Sequence, residues 1–163
     1  MFRSDAPAIA RRAAVFALGL MASLLSATAA QAQAPAQQAQ SVSQPRLFPN
    51  DGGMILIFIK PDKVADFEMV MGKLKEALQK SEKPERKQQA AGWKVFKSAD
   101  PAGANVLYVY IIDPSVKGAD YQVSNIIAEA FPTEANDILK KYADCYAQGM
   151  NIVNLITLQN LGK

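Results

Sequence analysis

The chain has 163 residues, a formal net charge of +3, one cysteine and no histidine. The missing imidazole excludes Ser-His-Asp catalysis, imidazole haem ligation and His-containing zinc sites. The single Cys145 leaves no partner for an internal disulfide.

Arg3, Arg11 and Arg12 lead into an apolar run of thirteen residues, Ala13 to Leu25. That is shorter than the roughly 20 residues a membrane span needs. Small residues follow, and cleavage is expected after Ala30 or Ala32. Residues 1–30 therefore read as a secretory signal peptide, and the protein as exported, periplasmic or secreted, with no span in the mature chain. No cysteine stands near the cleavage region to take a lipid. Ala13 and Ala14 follow Arg11-Arg12 where the twin-arginine pattern has a bulky apolar residue, so export of an unfolded chain is expected. Removing 1–30 leaves fifteen basic and fourteen acidic side chains, a net of +1. No basic cluster remains to bind nucleic acid.

Residues 31–53 are rich in Gln, Ala and Pro and read as a disordered linker, too poor in large apolar groups to offset its ordering entropy. Leu47-Phe48-Pro49 is placed to pin its end to the domain, which the sequence puts at 54–163. Met54 to Ile59 is an unbroken apolar run, the pattern of a strand buried on both faces. Asp62 offers a helix cap. Val64, Phe67, Met71, Leu74 and Leu78 then fall on one helical stripe. Lys73, Lys75 and Lys80 alternate with Glu68, Glu76 and Glu82 as a solvated face.

Pro84 suits the first turn of a short helix over 84–91, stopped by Gly92. Residues 93–97 and 106–112 read as strands joined by a long hairpin loop carrying Asp100-Pro101 and Gly103. A helix is expected over 121–131 with Val123, Ile126, Ile127 and Ala130 on one face. Another, over 134–148, carries Ile138, Leu139, Tyr142 and Tyr146 and ends at Gly149. Residues 151–158 form the last strand.

The order strand, helix, strand, strand, helix, strand predicts an α+β fold of the ferredoxin-like βαββαβ type, with a four-stranded sheet and helices on one face. Strands 54–59 and 106–112 are apolar at both parities, yet helices cover only one face. Soluble monomers rarely leave such a patch bare, so a homodimer through the sheet faces is the expected cover.

Element order, the doubly apolar strands and the inserted short helix at 84–91 make residues 54–158 resemble the dimeric α/β-barrel superfamily. Within it, the chain is most similar to the antibiotic-biosynthesis-monooxygenase-like group of small dimers. The resemblance implies a ligand pocket between sheet and helices, and activities that include cofactor-independent oxygenation and isomerisation. The lack of histidine departs from the haem-degrading branch, so no cofactor is expected.

Tyr108 and Tyr110 share one face of a central strand, and Asn154 interrupts the last one. Together with Trp93 they are the candidate ligand-binding residues, able to orient an apolar or aromatic molecule. The alternative places the tyrosines and Asn154 at a sheet–sheet interface and uses Trp93 to anchor its strand against helix 84–91. Cys145, near a helix C-terminus, reads as an inert thiol, and Asp113 and Asp120 as turn and cap residues. No catalytic or metal-ligating motif stands out. Three functions remain open: a small-molecule-binding homodimer, a cofactor-independent oxygenase or isomerase for an aromatic substrate, and an envelope interaction module.

Overall fold

The computed structural model describes residues 43–162. The signal peptide and most of the linker read from the sequence lie outside the described residues. The elements are β1 (Gly52–Ile59), a 3-10 turn (Pro61–Lys63), α1 (Val64–Lys80), α2 (Pro84–Gly92), β2 (Trp93–Lys97), β3 (Val106–Ile112), α3 (Val123–Ala130), α4 (Ala135–Cys145) and β4 (Asn151–Leu155). The sheet runs β2-β3-β1-β4 with every neighbouring pair antiparallel. The described residues are thus α+β, with an open four-stranded sheet and four helices, an arrangement compatible with a ferredoxin-like fold.

The two sides of the sheet differ in cover. Ile55, Ile57 and Ile59 of β1 and Tyr108, Tyr110 and Ile112 of β3 are buried beneath the helices. Phe67, Val70, Leu74, Ala77 and Leu78 of α1, Ile126 and Ile127 of α3, and Ile138 and Tyr142 of α4 pack against them. The intervening residues face the other way and are only half-buried: Met54, Leu56 and Phe58 on β1, Leu107, Val109 and Ile111 on β3. The pairing register aligns them across the sheet in two rows, Phe96–Val109–Leu56–Asn151 and Lys94–Ile111–Met54–Val153. Phe96 is 51% exposed, and Val153 and Leu155 are also exposed. Beyond β4 the chain continues with Leu158 and Leu161, 98% and 88% exposed.

Several boundaries differ from the sequence reading, each for a local reason. Asp62 lies inside the 3-10 turn, and the α1 N-cap, Lys63, makes no side-chain cap bond. Pro84 does open α2 at its first turn, as its fixed φ favours. The third helix begins at Val123 because the Asp120 carboxylate accepts from the amides of Arg46 (2.7 Å) and Gln122 (2.8 Å) and from Asn125 Nδ2 (2.7 Å), holding the chain in a turn. The fourth ends at Cys145, ahead of Gly149, since the backbone there turns to the sheet: Lys60 N–H donates to Cys145 O at 3.0 Å and Ala147 N–H to Phe58 O at 2.9 Å.

The stretch just before β1 packs on the domain. Phe48 is 1% exposed and meets Tyr121 edge-on at 5.4 Å between ring centroids. Tyr121 N–H donates to Arg46 O at 2.8 Å. Phe48 occupies the space a side chain on Gly53 would need, since a Cβ there would stand 2.1 Å from its ring. Gly92 is required in the same way at the α2–β2 junction, where a Cβ would lie 2.6 Å from Pro114 O.

Candidate functional site

β2 is short and lies at the sheet edge, so the helix-facing side of its residues is only partly roofed. Trp93 and Val95 point to that side, because they pair with Ile112 and Tyr110. Across from them, Met71, Leu74, Lys75, Leu78 and Gln79 of α1 recur at helical spacing and present one face. With Ala90 of α2 these residues enclose a pocket of about 290 Å³. Six of its eight lining side chains are apolar, and Lys75 and Gln79 bring the polar groups.

Trp93 is the keystone of the wall. Its ring meets Tyr110 at 5.7 Å and Tyr121 at 5.3 Å, both edge-on, an arrangement that orients the indole by quadrupole as well as by packing. Its Nε1 is buried with no acceptor. Behind the wall, Tyr110 Oη donates to Met71 Sδ at 2.9 Å. Burial pushes the Tyr110 phenol well above its ordinary range, and the nearby Tyr142 and Tyr146 act in the same direction. It is neutral throughout the physiological range and cannot serve there as a base.

The four residues singled out in the sequence do not form one site. Trp93 lines the pocket, and Tyr110 stands one contact behind it. Tyr108 lies under α1 nearer the other end of β3, stacked obliquely on Phe67 at 4.5 Å, with its hydroxyl donating to Glu68 Oε1 at 2.7 Å. Burial and that carboxylate raise its pKa, while Lys97 Nζ at 2.8 Å and the Tyr108 hydroxyl lower that of Glu68. Asn154 is exposed on the edge strand β4. It belongs to the row Trp93–Ile112–Gly53–Asn154, so three strand spacings, roughly 14 Å, separate it from Trp93. The interface reading of the tyrosines is corrected as well. Both phenols lie on the side the helices cover, because the register gives the open side to Leu107, Val109 and Ile111.

Two features escaped the sequence. Lys75 and Gln79 look like any polar pair on a solvated helix face, and only the position of β2 makes them pocket residues. Arg86, in a polar-looking helix, is 5% exposed. Its Nη1 donates to Gln89 Oε1 (2.8 Å) and Asp120 O (2.7 Å), and its Nη2 to Glu129 Oε2 (3.0 Å). It clamps α2 to the loop before α3. The spacing Arg86–Gln89, three apart on one helical face, was the available signal.

Among the described residues no group of three or more acidic or cysteine side chains is placed to hold a metal ion, and no helix is long and apolar enough to cross a membrane. Cys145 is fully buried, with Sγ 3.0 Å from Lys141 O. Comparison with family models, with curated proteins and with solved structures gives no match.

Proposed function

We propose that the mature chain is an exported homodimer of the dimeric α/β-barrel type that binds a small apolar or aromatic molecule in the α1–α2–β2 pocket. The observation that carries the ligand reading is the pocket itself: about 290 Å³ walled by Met71, Leu74, Leu78, Ala90, Trp93 and Val95. That volume equals roughly ten waters at ~30 Å³ each, close to the lower bound of ordinary ligand sites. Binding is favoured over catalysis because the only ionisable group in the lining is Lys75. An oxygenase or isomerase needs a proton acceptor in reach of the substrate, and the Tyr110 phenol is buried behind Met71.

The homodimer is supported by the open sheet face. Its two central rows carry one charge, Lys94, at the edge, and otherwise Phe96, Val109, Leu56, Asn151, Ile111, Met54 and Val153. A face with almost no charge to match is self-complementary, and a second copy covers it by a two-fold contact. Export rests on the basic, apolar and small-residue sequence of 1–30.

Sedimentation of the mature protein tests the assembly. A dimer is expected at micromolar concentration, and Phe96→Glu, at an exposed position cheap for the monomer, is expected to dissociate it without loss of the circular-dichroism spectrum. A monomer of the unaltered protein defeats the dimer. Native mass spectrometry of protein from its own host tests the pocket, with a co-purifying small molecule as the expected result.

A further inference from the structure

Lys75 is distinguished from the other lysines of α1 by what it lacks. On α1, Lys73 pairs with Glu134 at 3.3 Å and lies 4.5 Å from the Phe131 ring, and Lys80 pairs with Glu76 at 2.5 Å. Nearby, Lys63, Lys83 and Lys97 are paired with Asp66, Glu129 and Glu68. Lys75 has no carboxylate and no hydrogen-bond partner among the described residues, and neither has Gln79, one helical turn on. Both line the pocket, and no acidic side chain does. The pocket thus combines apolar walls with one ammonium and one amide, Lys75 and Gln79, that have no side-chain partner among the described residues.

From this we infer that the pocket selects an apolar monoanion: a small aromatic or aliphatic carboxylic acid, its hydrocarbon part against Met71, Leu74, Leu78 and Trp93 and its carboxylate at the mouth with Lys75 and Gln79. This rests on the reading of the pocket as a ligand site and adds the sign of the ligand's charge. A carboxylate held at the rim keeps part of its hydration while its apolar body leaves water, so the cost of desolvating a charge stays small. A charge-assisted bond to an ammonium then adds what a neutral amide cannot match. An amine ligand would meet like charge.

Trp93 is the only tryptophan in the chain, so its fluorescence reports this wall alone. The mature protein is titrated with phenylacetate, its neutral isostere phenylacetamide, and 2-phenylethylamine. Phenylacetate is expected to change the emission saturably and to bind about five- to tenfold more tightly than the amide, with the amine weakest. Lys75→Gln should abolish that preference while leaving amide binding within about twofold, and Lys75→Arg should retain it. Lys75 is exposed, so both variants are expected to fold, which thermal unfolding checks. Equal binding of acid and amide, or a preference that survives in Lys75→Gln, overturns the charge assignment and leaves the pocket standing. No saturable response to any of the three overturns both.

Discussion

The hydroxyl of Tyr110 donates to the sulfur of Met71 at 2.9 Å, joining the centre of the sheet to the wall of the pocket. Tyr110 is 1% exposed, so its hydroxyl has no water to turn to, and the thioether is a weak acceptor. Tyr110→Phe therefore removes one modest bond to the thioether and takes a polar neighbour from the buried Tyr142 phenol. A loss of about 1 kcal/mol in urea-unfolding stability is expected. Loosening of Met71 should show as weaker ligand-induced change in Trp93 fluorescence. An unchanged response would mean that packing alone holds the wall.

Phe48 and Gly53 form a lock between the stretch before β1 and the sheet. Phe48→Ala should cost about 3–5 kcal/mol, as for a fully buried aromatic ring. Gly53→Ala drives a methyl into that ring and should be comparably damaging. In the double variant the two costs should not add, because the smaller residue at 48 clears the space the new methyl needs. Chemical denaturation of the four proteins of this cycle measures the coupling. Additivity would show that the ring and the glycine act independently.

Arg86 and Glu129 give the domain an acid-sensitive clamp. Burial raises the Glu129 pKa, but hydrogen bonds from Arg86 and Lys83 outweigh it, so the folded value lies below the ordinary 4.5. A depressed carboxylate stabilises the fold fully above its unfolded pKa and loses that contribution as pH falls through the folded one. Glu129→Gln is expected to cost about 1 kcal/mol at pH 7, discounted because the side chain is partly exposed. The gap from the unaltered protein should close as pH falls below about 4.5. Arg86→Ala should cost more, about 2–3 kcal/mol, since it strips donors from Gln89, Asp120 and Glu129 together. Thermal melts at a series of pH values check both.

Cys145 should be silent toward thiol reagents in the native protein. Burial raises its thiol pKa, with Asp66 adding to the effect, and no side of it meets solvent. Labelling by a maleimide is expected only after denaturant is added. Rapid native labelling would show that the end of α4 opens readily.

Which segments form strands and helices, and which residues of a strand share a side, were legible because they depend on local patterns. Runs such as Met54–Ile59 state both that a strand forms and that neither side is polar. The pocket was not legible, because it depends on where a short edge strand stops relative to α1. Nothing in the spacing of Lys75 and Gln79 distinguishes them from the solvated face around Lys80. Tyr108 and Tyr110 were correctly placed on one face, but parity cannot say which face the helices choose. Asn154 looked like a partner for them by chemistry alone. The register puts it at the far edge of the sheet from Trp93, with Ile112 and Gly53 between. The depth of Arg86 was hidden too, since two of its three acceptors, Asp120 and Glu129, come from the loop and helix after β3, far away in sequence.

β2 sends Trp93 and Val95 into the pocket and Lys94 and Phe96 onto the open face, residue by alternate residue. Five residues of backbone thus belong to both surfaces. If the proposed ligand and the proposed second copy do bind on opposite sides of this strand, any factor by which one alters the affinity for the other is returned in full, because coupling between two binding equilibria is reciprocal.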